Sequence, residues 1–341
     1  MSSAKKHINI PVFIPHLGCP NECVFCNQRS ISGKMTFDPD SVIYEIETAL
    51  STVREGTEAE IAFFGGSFTG IDRELMIYLL HIAQKYVDDS RVSSIRLSTR
   101  PDYINDEILQ ILKGFSVKTV ELGIQSMDDN VLAECKRGHI ALQSRKACKA
   151  VKEAGFELIG QMMVGLPGAT VESEKATALE ICKMGADGAR VYPTVVFYET
   201  ELCEMSKRGE YTPLVLNDAV YRTKEVLKVF DENRVPCIRV GLCASENLSS
   251  EESVFGGANH SAIGELAIGE IFFEKIDEAL DELKSRAELP KKPTIYVPKG
   301  CISKAVGQKR KNIERLCRKY SIYDVRILEK NSIIGYNILL S

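Results

Sequence analysis

Through its first 200 residues the chain alternates short apolar runs with amphipathic stretches, and this alternation restricts the fold more than any other feature. The apolar runs are His7 to Ile14, Ala59 to Phe64, Val92 to Ser98, Val117 to Gly123, Phe156 to Val164 and Gly188 to Val196. Each is rich in Val, Ile, Leu or Phe and has the length of a strand. Helical stretches lie between them near 38–54, 70–88, 104–114, 141–155 and 171–186. Asp38 followed by Pro39 fits a helix N-cap with proline at the first helical position. Strands joined by helices of this length pair in parallel through crossovers, so the fold class is α/β, an open sheet or a full or partial barrel. Six units fall short of an eight-stranded barrel. The expectation is a partial (β/α)6 barrel with function in the loops after the strand C-termini.

Downstream, Asn217 to Glu232 reads as a helix and Val235 to Val240 as a further strand. Residues 244–269 are rich in Gly, Ser and Glu and read as a loop entering a helix that runs to Ala287, with Leu289 to Pro293 as a linker. Three regions are expected: a barrel over 1–235, an extension and connecting helix over 236–288, and a small α+β module over 289–341. No apolar run approaches the roughly 18 to 20 residues of a membrane helix, and the N-terminus lacks the apolar centre of a signal peptide. A soluble, cytoplasmic protein without membrane contact is expected.

The net charge of -4 conceals a division along the chain. Residues 289–341 carry twelve Lys and Arg against three acids, a surplus of nine positive charges, so the preceding 288 residues carry a surplus of thirteen negative ones. A basic module on an acidic body points to a polyanionic partner.

Eleven cysteines, an odd number in a chain of 341 residues, do not form the framework of a small disulfide-rich domain. Cys135, Cys148, Cys182, Cys203, Cys237, Cys243, Cys301 and Cys317 stand alone and read as small apolar side chains. Cys19-Pro-Asn-Glu-Cys23-Val-Phe-Cys26 differs, placing three thiols within eight residues directly after the first strand. Such a loop suits zinc or an iron–sulfur cluster. A closed zinc site needs a fourth ligand, which His16 or a distant cysteine could supply. A 4Fe-4S cluster held by these three would leave one iron without a protein ligand, open to chemistry.

The cysteine motif, with Phe25 before its last cysteine, resembles the cluster loop of the radical S-adenosylmethionine (SAM) enzymes. The resemblance implies a 4Fe-4S cluster on Cys19, Cys23 and Cys26, with SAM chelated at the open iron and cleaved to a 5′-deoxyadenosyl radical. Phe64-Gly-Gly-Ser-Phe-Thr69 resembles the family's glycine motif, which assigns Gly65 and Gly66 to SAM. Ser98-Thr-Arg-Pro-Asp102, Glu121-Leu-Gly-Ile-Gln-Ser126 and Gly165-Leu-Pro-Gly168 end the next three strands. With Lys136-Arg-Gly-His139, Val191-Tyr-Pro-Thr194 and Arg208-Gly-Glu-Tyr211, these strings resemble the radical SAM half of the Elongator catalytic subunit, which modifies wobble uridine in tRNA, over roughly residues 8–215. By that resemblance Gln125 and Arg137 would contact the ribose and carboxylate of SAM, and Gln161 the ribose or the substrate. Ser98 stands where relatives usually present Glu. The chain shows no counterpart of that family's acetyltransferase domain, so a different product or another acyl source is expected. An electron donor such as flavodoxin or ferredoxin is implied as well.

Within 289–341 the order strand, helix, loop, helix, strand resembles a KH domain, which clamps single-stranded nucleic acid with a Gly-x-x-Gly loop. Here the loop is Gly307-Gln-Lys-Arg310, Arg310 replacing the last glycine, and Lys304, Lys309, Arg310 and Lys311 fall where phosphates would lie. The leading reading is a radical SAM enzyme acting on RNA, with tRNA foremost. Two others stay open. Gly257-Ala-Asn-His-Ser261 resembles a motif of oxygen-independent coproporphyrinogen oxidase relatives, giving a porphyrin or heme reading with His260 as its mark. A non-catalytic iron–sulfur protein that binds RNA is the third.

Overall fold

The computed structural model describes residues 7–14, 17–19, 23–27, 37–242 and 253–341. His16 and Cys243 lie outside these residues. Strand β1 (His7–Ile14) leads to α1 (Val42–Ser51), β2 (Glu58–Gly65), α2 (Arg73–Asp88), β3 (Ser94–Thr99), α3 (Asp106–Lys113) and β4 (Val117–Gln125). Helices α4 (Asp129–Glu134) and α5 (Ala141–Glu153) precede β5 (Glu157–Val164), followed by α6 (Val171–Lys183) and β6 (Gly188–Pro193). Next come β7 (Val195–Phe197), α7 (Glu201–Lys207), α8 (Leu216–Glu232) and β8 (Cys237–Val240).

Local chemistry sets the helix starts. Asp72 Oδ1 accepts from Leu75 N at 3.0 Å and Asn105 Oδ1 from Ile108 N at 2.9 Å, each satisfying a donor that the first turn leaves open. Asp38 caps as its sequence suggests, accepting from Asp40 N, but what it starts is a 3-10 turn over Pro39–Ser41 that runs into α1.

The main sheet is parallel, in the order β1-β2-β3-β4-β5-β6-β8. It carries one strand beyond the six units read from the sequence, because Cys237–Val240 pairs with β6. The sheet is a curled, open barrel with β1 and β8 at its edges. Its outward side chains, among them Ile61, Phe63, Leu97, Leu122, Leu158 and Val191, pack under Met76, Leu79, Ile108, Leu112, Val151 and Ile181 of the helices. Each such buried side chain contributes roughly 1.5–3 kcal/mol of transfer free energy. The run expected over Gly188 to Val196 breaks at Thr194, whose N–H and hydroxyl both turn back to Val164 O at 2.8 Å. Past the break, β7 pairs antiparallel with β9 (Val254–Gly257), a strand inside the segment expected to be a loop.

Helix α9 (Ile263–Arg286) links two cores. Ile263, Ala267 and Ile271 lie in the barrel core, and from Phe272 onward Phe272, Ile276 and Leu280 lie in a separate one. That second core is completed by β10 (Thr294–Val297), α10 (Ile302–Val306), α11 (Lys311–Tyr320), β11 (Arg326–Glu329) and β12 (Leu339–Leu340) through Ile295, Val297, Ala305, Ile313, Leu316 and Val325. Strand β10 is central, parallel to β11 and antiparallel to β12. Among the described residues no helix is long and apolar enough to cross a membrane.

Candidate functional site

The cysteine loop is seated by its neighbours. Gly66 N donates to Ile14 O at 2.8 Å and Ser67 N to Leu17 O at 3.0 Å. A Cβ on Gly66 would lie 2.1 Å from Leu17 O, and one on Gly18 would lie 2.2 Å from Ser67 O. The glycines after β2 therefore let two backbone segments touch, which no larger residue permits. On the other side Val24 is buried among Val131, Leu166 and Val196, its N–H donating to Cys135 O at 3.2 Å and its carbonyl accepting from Leu202 N at 2.8 Å.

Two arginines flank the thiols. Arg137 Nη1 donates to Cys23 Sγ at 3.2 Å and Nη2 to Gly123 O at 2.6 Å. Arg137 is buried, 6% exposed, so it is not a surface salt-bridge residue. Arg100, which sequence reasoning passed over inside its own string, puts Nη1 4.0 Å from the same sulfur. It is held by Asp102, Nε to Oδ1 at 3.0 Å and Nη2 to Oδ2 at 2.9 Å, and its Nη2 also reaches Arg137 O. Burial pushes the Cys19 thiol up, against the opposing pull of Arg100 and Arg137. Ligation to a cation deprotonates such a thiol outright.

A cavity opens at the C-terminal ends of the strands. Phe25, Cys26, Gly65, Ser98, Gln125 and Gln161, all named from the sequence, line it together. Gly66 and Arg137 do not, Gly66 lying behind Gly65 against the cysteine loop and Arg137 behind Gly123. Gln125 is strained, with φ +66° at a register shift in β4, and its buried Oε1 makes no hydrogen bond among the described residues.

The cavity wall and the barrel interior behind it hold charge that the sequence did not assign. Glu121, fully buried, accepts at Oε1 from Arg96 Nη1 at 2.9 Å and Arg190 Nη2 at 2.8 Å, and at Oε2 from Gln161 Nε2 at 2.7 Å. Gln161 Nε2 also reaches Ser98 Oγ at 3.2 Å. Glu60 takes the other face of Arg96, at 3.0 Å from Nη2. The signal was present as period-two polarity: Glu60, Arg96, Glu121, Gln161 and Arg190 sit at inward positions of strands otherwise apolar.

The basic residues named from the sequence assemble elsewhere. Lys304, Lys309, Arg310 and Lys311 line a second groove, between α8, the start of α9 and the 307–311 loop. Lys309 (φ +50°) and Arg310 (φ +63°) are both left-handed, and Arg310 pairs with Asp324 at 2.9 Å. Lys304, Lys309 and Lys311 form no ion pair among the described residues. His260 lines this groove rather than the barrel cavity, its Nδ1 accepting from Ala262 N at 3.1 Å. That position gives the porphyrin reading no support.

The donor set fits an iron–sulfur cluster. Cys23 is buried and Cys19 and Cys26 half-buried, a guanidinium faces the Cys23 sulfur, and the cavity beyond holds, among the described residues, an unsatisfied acceptor in Gln125. Among the described residues, which do not include His16, no three His, Cys, Asp or Glu side chains are grouped as a single ion requires.

Residues 13–181 match the model of the radical SAM superfamily, and residues 186–271 that of the radical SAM C-terminal domain. The chain is 32% identical over 191 residues to the tRNA uridine(34) acetyltransferase of Methanocaldococcus jannaschii, covering 50% of this chain and 34% of that protein. It is 29% identical over 229 residues to an uncharacterized protein of the same organism, covering 63% of this chain and 70% of that one. The chain thus spans about a third of the acetyltransferase it matches. The solved structure of archaeal Methanocaldococcus infernus Elp3 lacking its N-terminus superposes with a TM-score of 0.61 at 21% identity, covering 84% of this chain and 65% of that chain, which shows a shared fold. The chain belongs to the radical SAM superfamily, whose enzymes use a 4Fe-4S cluster and S-adenosylmethionine.

Proposed function

We propose that this chain is an enzyme that reductively cleaves SAM at a 4Fe-4S cluster on Cys19, Cys23 and Cys26 and uses the radical so formed to modify RNA, with tRNA as its substrate. The observation that carries the reading is the Cys23 sulfur held by Arg137 beside a cavity lined by Phe25, Cys26, Gly65, Ser98, Gln125 and Gln161. When bound, the cluster supplies the electron that splits SAM into methionine and a 5′-deoxyadenosyl radical, with flavodoxin or ferredoxin as the donor class.

The chain's own residues do the rest. Gly65 leaves room for ligand to approach backbone, and Gln125 Oε1 offers an acceptor to the amino or ribose hydroxyl groups of SAM. Gln161, tethered to Glu121, orients the ribose or the substrate. Phe25, Phe64 and Phe13 exclude water from the cavity wall. The tRNA assignment draws on the relative named for tRNA uridine(34) acetylation and on the basic groove, where Lys304, Lys309, Arg310 and Lys311 of a KH-like module over 289–341 would meet phosphates. The barrel over 1–235 and the connecting segment over 236–288 complete this organisation, and the cytoplasm is its place.

Anaerobic reconstitution followed by dithionite and SAM tests the reading. Wild-type protein should bind iron and release 5′-deoxyadenosine, and Cys23→Ala should do neither. Modified nucleosides in total tRNA from cells with and without the protein should differ by one species. Zinc in place of iron, or an iron-loaded protein that yields no 5′-deoxyadenosine with tRNA present, defeats the enzymatic reading.

A further inference from the structure

Charge inside the barrel does not balance around the cavity. One carboxylate lines it, that of Glu121, against two guanidiniums, those of Arg190 and Arg239. Glu121 already accepts from Arg96, Arg190 and Gln161, and among the described residues no hydrogen bond or ion pair joins it to Arg239. Among the described residues Arg239 makes one hydrogen bond, from Nε to Gly241 O at 3.3 Å. It is nevertheless fixed in place, because Arg239 on β8 is the register partner of Arg190 on β6 and shares its face of the sheet. Like charges directly opposite each other on neighbouring strands are destabilising. Two guanidiniums at one register position, with one carboxylate shared between Arg96 and Arg190, leave an excess positive charge among the described residues that line the cavity.

A third group completes the corner. Tyr192 lies two residues beyond Arg190 on β6, on the same inward face, and lines the same cavity. Burial pushes its phenol up, partly opposed by Arg190, so at neutral pH it is an O–H donor. Arg190 is itself steadied by its charge-assisted bonds to Glu121 and by the Phe64 ring 5.3 Å from its guanidinium carbon. Among the described residues the corner thus presents fixed donors and a guanidinium edge with no carboxylate bonded to it.

We propose that Arg239 and Tyr192, backed by Arg190, form an oxyanion subsite that holds a carboxylate or phosphate group of the second substrate across the cavity from the cysteine loop. The planar fork of Arg239 suits two oxygens of one group, and the Tyr192 hydroxyl a third contact. The subsite lies on β6 and β8, whereas the residues assigned to SAM lie on the cysteine loop and on β2 to β5. It therefore faces the molecule that SAM chemistry acts on. This inference rests on reading the cavity as the active site, and it adds that the substrate brings a negative charge into the barrel.

The test uses the full-length reconstituted protein with SAM bound and no reductant. Acetate, malonate, inorganic phosphate and pyrophosphate are titrated by calorimetry at constant ionic strength. At least one should bind saturably; the carboxylates and the phosphates form separate arms that identify which group the subsite takes. Arg239→Gln should weaken that binding tenfold or more, Arg239→Lys by less because charge persists without the fork, and Tyr192→Phe several-fold. The double variant Lys309→Gln/Lys311→Gln, in the other basic groove, removes any anion bound there and should keep the saturable component that Arg239→Gln weakens. The proposal is overturned if no anion saturates, if Arg239→Gln binds as tightly as wild type, or if the loss follows Lys309 and Lys311 instead. Should Arg239→Gln not fold, unchanged binding in Tyr192→Phe and Arg239→Lys refutes it equally. Formation of 5′-deoxyadenosine by wild type, measured in parallel, separates failure of this subsite from failure of the enzymatic reading.

Discussion

Arg137 and Cys23, 114 positions apart in the chain, meet with Nη1 3.2 Å from Sγ. The same guanidinium grips Gly123 O at the end of β4, so the barrel itself aims a positive charge at the thiol. Hydrogen bonds to cluster-ligating sulfurs raise the reduction potential, because they stabilise the more negative, reduced state. Arg137→Met should lower the potential of the reconstituted cluster, by roughly 40 mV for each kcal/mol of lost differential stabilisation in a one-electron couple. Arg137→Lys should fall between. Redox titration followed by electron paramagnetic resonance measures this, and equal potentials in Arg137→Met and wild type would show that the contact does not tune the cluster.

Gly66 makes a second prediction, about assembly of the site. A methyl group there would sit 2.1 Å from Leu17 O, a backbone atom with no freedom to swing aside. Gly66→Ala should destabilise the protein by about 1–3 kcal/mol, the usual cost of forcing extra volume into a packed site. It should also take up less iron on reconstitution while keeping a wild-type far-ultraviolet dichroism spectrum. Full iron loading with an unchanged melting temperature would mean that the cysteine loop does not need this backbone contact.

What was legible in the sequence is what local chemistry encodes. The cysteine spacing, the glycine pair after β2 and the strand-end strings were readable because each lies within a few residues of chain. Gln125 and Gln161 reach one cavity because Gln125 ends β4 and Gln161 points inward from the middle of β5, next to it in the sheet. The place of Arg137 was not readable: its neighbour Cys23 is brought to it by packing of Val24 among Val131, Leu166 and Val196, a contact with no local signature. The buried ionic lattice of Glu60, Arg96, Glu121 and Arg190 was missed for a different reason. These strands are covered on both sides, so they read as continuous apolar runs, and single charges within them look like exceptions until the register places them side by side. The β7–β9 ribbon was illegible because it pairs three residues with four across more than fifty positions, with Gly257 packed against Thr194 O.

His139 gives a prediction in pH. Its side chain is fully buried, and desolvation foremost, with help from Arg137 and Arg100 and against Asp102, lowers its pKa to about 4. The unfolded chain protonates this imidazole near 6.5, the folded chain only near 4. Between those values the unfolded state binds more protons, so stability falls as pH drops from 6.5 to 4 and levels off below. The full effect is on the order of 3 kcal/mol at most. His139→Gln, which cannot titrate, should flatten this part of the stability curve in denaturant titrations at pH 4, 5, 6 and 7. A variant curve parallel to wild type would remove His139 as the cause.

The basic groove makes the last prediction, in salt. Lys309 and Lys311 line it without an ion pair among the described residues, whereas Arg310 is engaged by Asp324. A phosphate neutralised by an unpaired lysine releases a counterion, which appears as a steeper fall of affinity with salt; a cation already paired within the protein contributes less. For tRNA binding by the full chain, Lys309→Gln and Lys311→Gln should each reduce the slope of log affinity against log salt by roughly 0.7 to 0.9. Arg310→Gln should reduce it less. Because the contacts are to phosphate, the loss should be the same for tRNAs of different sequence. Equal slopes in wild type and the double lysine variant would move the RNA off this groove and leave the positive surplus of residues 289–341 as an ordinary solvated face.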